Sequence, residues 1–211
     1  MAIAYISGTV NYDADDDVQT ASIDTSGANL LVVMYATFVG YPSAVSDSKS
    51  NTWTELTHVT LAGVLEMRCA YVAGSPTVGS GHTFSVNTTD FSTIMGVFAF
   101  SGASATPATN NMVGAAAAQP GSLTPPADNA VLCAFLYDGS GPYSIDSGFT
   151  EVGEDGLTAS AYKIQTTAGA ENPTWSGGTT YYTSQLSFAA ALVASQTPFT
   201  RSSQYQPLLA Q

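Results

Sequence analysis

Positive charge is what this chain has least of. Lys49, Arg68, Lys163 and Arg201 are its only Lys or Arg residues among 211, against sixteen acids, for a net charge of −12. A nucleic-acid partner needs a basic footprint that displaces counterions from phosphates, and docking on an anionic membrane surface needs the same attraction. Neither partner is expected. Charge of either sign is scarce, at 9% of residues against roughly a quarter in soluble domains. Disorder does not explain this, because disordered chains are rich in charge and poor in aromatics, whereas eleven Tyr, nine Phe and two Trp are present. The surface must therefore be Ser, Thr, Asn, Gln and Gly, which suits strand faces and surfaces covered by neighbours.

Cysteine is nearly absent too. Cys69 and Cys133 lie in the apolar runs MRCAYV and AVLCAF; two thiols are too few for a zinc site or a disulfide scaffold, and pairing or burial as free thiols both stay open. No apolar run approaches the ~18 residues of a membrane span. The opening MAIAYISGTV has neither a basic region nor a long apolar one, so no signal peptide is expected. Helical periodicity is missing as well: turn residues recur about every 8 to 12 positions, the spacing of a sandwich or barrel.

Between the turns run β-rich segments. Residues 30–39 (LLVVMYATFV) and 94–100 are continuously apolar and read as strands buried on both faces. Around 83–87 and 181–192, apolar and polar residues alternate, giving one core face and one wet face. Residues 101–127, rich in Ala, Thr, Ser, Asn and Pro, read as a long crossing loop with one short strand; Pro120 closes the alanine run at 115–118 before it can become a helix.

An internal repeat organises these segments. Ala28-Asn29 followed by LLVVMYATFVG resembles Asp128-Asn129 followed by AVLCAFLYDGSG; NTWTEL matches GFTEV; CAYVAG matches SAYKIQ; GVFAFSGA matches LSFAAALV. The offsets are 100, 96, 91 and 90 residues, drifting only in loops. About four strands cannot bury both faces alone, so the halves are expected to pack together. The expected fold is an all-β, two-sheet antiparallel jelly-roll sandwich made from two related halves. It forms one domain over residues 1–192, with halves at about 18–102 and 118–192, and a C-terminal arm follows at 193–211.

The order of LLVV, SDSKSNTWTEL, AYVAG, VGSGHTFSV and GVFAFSGA, then DNAVLCAF, SGFTEV, ASAYKIQTTAG and LSFAAA, resembles the jelly-roll or concanavalin-like module of bacterial surface proteins and of tailed-phage structural proteins. The resemblance covers residues 18–192. It implies an architecture and a setting, and its turns and aromatics carry no catalytic signature.

Candidate sites are few. Asp13, Asp15 and Asp17, with Asp24 twelfth in the run, are weak candidates for a calcium loop; Val18 stands where an EF-hand needs Gly and the twelfth ligand is not Glu. A solvated acidic loop is the plainer reading, and no cofactor is expected. Only His58 and His82 offer neutral-pH bases, and both read as surface or turn residues. Glu55, Glu66, Asp90, Glu151 and Glu154 could supply a carboxylate pair of the glycosidase kind, but nothing singles one out. No enzyme is expected. Trp53 and Trp175, with Tyr181 and Tyr182, read as core anchors before they read as a sugar platform. The arm carries Phe199, Arg201, Tyr205, Leu208 and Leu209, an apolar content that solvated tails seldom have; these are the expected partner-binding residues. The resulting expectation is a virion structural subunit, such as a capsid decoration (cement), fibre or tail component. It would act on other copies of itself or on a major capsid or tail protein in an extracellular particle. The alternative is a carbohydrate-binding or adhesion module with a glycan partner.

Overall fold

Among the described residues, sixteen strands form where apolar or alternating runs lie between turns. The computed structural model describes residues 2–13, 18–39, 43–88, 93–109, 112–139, 141–146 and 148–190, and no helix occurs among them. The first nine strands are β1 (Ala4–Asp13), β2 (Val18–Gln19), β3 (Leu30–Phe38), β4 (Ser43–Asp47), β5 (Thr54–Glu55), β6 (Val59–Leu61), β7 (Leu65–Ala73), β8 (Phe84–Thr88) and β9 (Thr93–Ser101). The rest are β10 (Val113–Ala115), β11 (Ala130–Tyr137), β12 (Ser144–Ile145), β13 (Thr150–Asp155), β14 (Thr158–Gln165), β15 (Trp175–Ser176) and β16 (Tyr182–Ala189).

Two large antiparallel sheets result, in the orders β1-β9-β3-β7-β5 (with β6 also on β7) and β10-β16-β11-β14-β13. Strand for strand these orders are the same, so the repeat in sequence is a repeat in topology. Registers agree as well: Thr54 and Glu55 pair with Tyr71 and Ala70, just as Thr150 and Glu151 pair with Tyr162 and Ala161. The continuously apolar runs at 30–39 and 94–100 became the adjacent strands β3 and β9 of the first large sheet, each buried along almost its whole length, as strands covered on both faces must be. Each half draws in one strand that precedes the bounds marked by the repeat, β1 in the first and β10 in the second.

The large sheets pack face to face. Leu30, Val32 and Met34 of β3 meet Val131, Cys133 and Phe135 of β11, and Phe98 and Phe188 join the same cluster. Burying such side chains stabilises by ~1.5–3 kcal/mol each, so this shared cluster is the main reason for the halves to stay together. Each large sheet also carries a small sheet on its outer face. β2-β8-β4 covers Leu31, Val33 and Tyr35 of β3, and β12-β15 puts Trp175 over Ala134 and Leu136 of β11. The antiparallel sandwich of two related halves thus has an extra layer on each side.

One detail departs from the sequence alignment. Even-numbered residues of β3 face the shared cluster, but odd-numbered residues of β11 do. An offset of 100 would turn β11 inside out, so the true equivalence in that strand is odd. Since both faces of both strands are apolar, the pattern gave no warning.

Candidate functional site

Three places among the described residues are candidates for a functional site. The first is sealed. Asp47, at the end of β4, accepts hydrogen bonds from the Lys49 amide (2.7 Å), the Asn51 amide (3.2 Å) and Trp53 Nε1 (2.8 Å). An Asp that captures amides two and four residues on is the usual turn-builder. Its Oδ1 also lies 3.0 Å from His82 Nε2, and His82 Nδ1 lies 2.9 Å from Thr25 Oγ1. A carboxylate only accepts, so His82 Nε2 is the donor to Asp47. Burial works against the charged form of Asp47, but its hydrogen bonds from His82, Lys49, Trp53 and Asn51 outweigh it and hold the carboxyl below its ordinary range.

This is the connectivity of a hydroxyl–imidazole–carboxylate relay, yet Thr25 and His82 are both wholly buried. No substrate reaches the hydroxyl. The network ties the 24–29 turn to the β4–β5 connection and to the strand edge at 79–82, where Gly79 N–H also donates to Thr25 Oγ1 (3.0 Å). The expectation of a surface or turn histidine is therefore corrected for His82, which also stacks on Phe84 at 4.2 Å. Trp53 packs edge-on against the same ring (6.1 Å), a core role.

The second place is half exposed. Arg68 donates to Glu66 Oε2 through Nε (2.9 Å) and Nη2 (2.6 Å), and Glu55 Oε2 lies 3.7 Å from Nη1. Tyr35 Oη donates to Glu55 Oε1 (3.0 Å), and His58 Nε2 lies 3.7 Å from Glu66 Oε1. Burial disfavours the guanidinium charge, but the hydrogen bonds that Arg68 donates to Glu66, with the nearby negative charge, outweigh it and raise the Arg68 pKa. Two of the five candidate carboxylates thus meet, held apart by a cation. Glu151 and Glu154 instead accept the Ile145 and Tyr143 amides (3.2 and 2.8 Å) and brace the 142–145 segment. Asp90 lies outside the described residues.

The third place is a groove of about 260 Å³ at the open edge of the first large sheet. β5 lets go of β7 after the Thr54–Tyr71 pair, so Thr52, Tyr71 and Ala73 form one wall and residues 105–107 the other. Beside it, a cleft of about 130 Å³ lies among Ser104, Thr106, Ala108 and Ala190. Neither carries a carboxylate, imidazole or thiol.

Asp13 closes β1 opposite Thr93, and Asp24 turns its carboxylate onto the Ser26 amide (2.9 Å). Asp15 and Asp17 lie outside the described residues, as do Phe199, Arg201, Tyr205, Leu208 and Leu209. Among the described residues no group of three His, Cys, Asp or Glu side chains is placed to hold a metal. Cys69 and Cys133 are free and buried in the shared cluster. Burial pushes both thiols far up, and each is an unreactive hydrophobe.

Sequence reasoning missed the Thr25–His82–Asp47 network and the groove. The Asp47–Asn51 turn was legible as an Asx motif; the approach of Thr25 and His82 was not. Comparison with family models, curated proteins and solved structures finds no match, so the functional reading rests on this geometry and on the residues themselves.

Proposed function

We propose that this protein is a structural subunit of a virion, a capsid decoration (cement) or related surface, fibre or tail component of a tailed phage, that works through contacts with other copies or with a major capsid or tail protein. The observation that carries the reading is where the polar chemistry goes. Two of the four bases, Arg68 and Lys163, are engaged with Glu66 and Glu171, the imidazole–carboxylate relay is sealed, and the two surface depressions offer only hydroxyl and apolar groups. A charge-poor, net-acidic exterior on a β-sandwich suits extended contact with neighbours better than chemistry on a substrate. The likeness to jelly-roll modules of phage structural proteins points the same way, and Phe199, Arg201, Tyr205, Leu208 and Leu209 are the contact residues assigned to the arm.

A carbohydrate-binding module is the second reading. It is favoured by Tyr137 and Tyr182, which stack at 6.0 Å at one end of the shared core and stay half-buried. Copurification separates the two. On the first reading the protein sediments with assembled particles and isolated protein gives no signal on a glycan array. Glycan binding by the isolated chain, without particle association, would overturn it.

A further inference from the structure

We infer that the hairpin tip at residues 61–64, between β6 and β7, seats in the groove over Tyr71 of a second copy of this chain, a head-to-tail contact through which copies assemble. The inference rests on the structural-subunit reading and names the surface by which copies meet. Its first support is where exposed apolar surface lies. Val39 and Val64 are two of the three large hydrophobic residues exposed among the described residues, at 41% and 49%. They are neighbours, the Val39 N–H donating to the Val64 carbonyl (2.9 Å). Ala62 and Gly63, also exposed, complete the tip.

The turn stays apolar against its own backbone preference. The Val64 N–H closes it on the Leu61 carbonyl (3.1 Å), and Ala62 and Gly63 both have positive φ, 50° and 71°. Two-residue hairpin turns of this kind favour Asn-Gly or Asp-Gly, because an alanine Cβ is strained in the left-handed region. Asn at position 62 would relieve the strain and make the tip polar. Strain kept at a surface position points to a role performed there.

Groove and tip agree in size, charge and direction. A cavity of roughly 150 Å³ takes a benzene ring; at about 260 Å³ the groove admits a valine side chain with part of the turn behind it. Its Tyr71 wall is backed by Phe188 at 5.2 Å. Asn29 ties the surrounding segments together: its side chain pairs with the Ala103 backbone (2.8 and 3.1 Å) and its carbonyl accepts the Gly74 N–H (2.9 Å). No charged residue lines the groove or stands at 39 or 61–64. That matters in a chain of net charge −12, whose copies repel wherever acids meet. The tip precedes β7 and the groove opens where β7 ends. Nine residues of strand hold them ~25–30 Å apart at ~3.3 Å per residue, so they cannot satisfy each other within one chain. A projection at one end of a strand and a recess at the other repeat the contact from copy to copy. Contact between unlike patches builds a ring or a fibre.

Crosslinking between copies tests the contact. In the full-length protein, copper-phenanthroline oxidation of a double variant, Val64→Cys with Thr106→Cys, should give a ladder of dimers, trimers and longer species on a non-reducing gel. Cys69 and Cys133 are buried and do not contribute. Each single variant alone should give no ladder, and a mixture of the two should give one dimer band. A dimer from Val64→Cys alone would mean that tips meet tips and would overturn the inference, as would a double variant that stays uncrosslinked at every protein concentration. In the absence of new cysteines, Val64→Asp should weaken self-association in light scattering about tenfold or more, the scale of one buried valine. Ala62→Asn should weaken it too while raising the melting temperature. Association unchanged in Val64→Asp would remove the tip from the contact. The two readings fail separately: a chain that ladders but never copurifies with particles keeps the contact and loses the virion role, and one that copurifies without laddering does the reverse.

Discussion

Asp47 concentrates more hydrogen bonds than any sequence pattern around it suggests, and its removal should be costly. Asp47→Ala strips partners from Trp53 Nε1, His82 Nε2 and two amides at once. Loss of one member of a buried, hydrogen-bonded charged group costs ~3–5 kcal/mol, and chemical denaturation should report a loss in that range. The same residue sets an acid limit. Its carboxyl is held below the ordinary value in the folded state, so its contribution is fully present above the unfolded pKa of ~3.9 and fades as pH falls below that value. Melting temperatures should therefore drop below about pH 4, and Asp47→Asn should show a smaller drop across that window; equal acid sensitivity in both would remove Asp47 as the cause. Ser160 is the opposite case. Its buried hydroxyl has no partner, so Ser160→Ala should be neutral or stabilising, and a loss above ~1 kcal/mol would show that the hydroxyl is in fact satisfied.

β9 and β14 approach each other closely across the sandwich at one point. A Cβ on Gly96 would run into Ser160 Oγ and press on Phe135, so Gly is needed at this point for proximity and not for its backbone freedom. Gly96→Ala should destabilise by ~1–3 kcal/mol, the usual scale of overpacking, and Ser160→Ala in the same chain should return part of it. Additive effects in the double variant would mean that the two strands do not share this contact. The connection from β1 to β2 raises the calcium question at the same scale. A metal bound there at 100 times its dissociation constant would add ~2.7 kcal/mol. For a merely solvated acidic loop, melting with calcium and with chelator should coincide.

For the whole molecule, the shared cluster of β3, β9, β11 and β16 side chains predicts one cooperative unfolding transition with a β-type circular dichroism spectrum. Severing the chain after Ser104 should give two insoluble fragments, since each exposes the face that the other covers. Soluble halves melting separately would show instead that each small sheet suffices to stabilise its own half. Cys69 and Cys133 give an independent check: both should resist thiol reagents until that single transition and then react together. Early labelling of either would mean that the halves part before they unfold.

The amino-acid sequence by itself determined the all-β class, the two central strands and the repeated strand order, because turn residues, continuous apolar runs and matched motifs are local and survive in one dimension. It also made the covering of β3 and β9 on both faces legible. What it could not determine was which face meets which. A period of two distinguishes two faces only when one of them is polar, and LLVVMYATF and AVLCAFLY are apolar on both, so the odd offset of β11 emerged only from packing. His82 read as a surface residue because nothing near it in sequence shows that Thr25 and Asp47 close around it from 57 and 35 positions away.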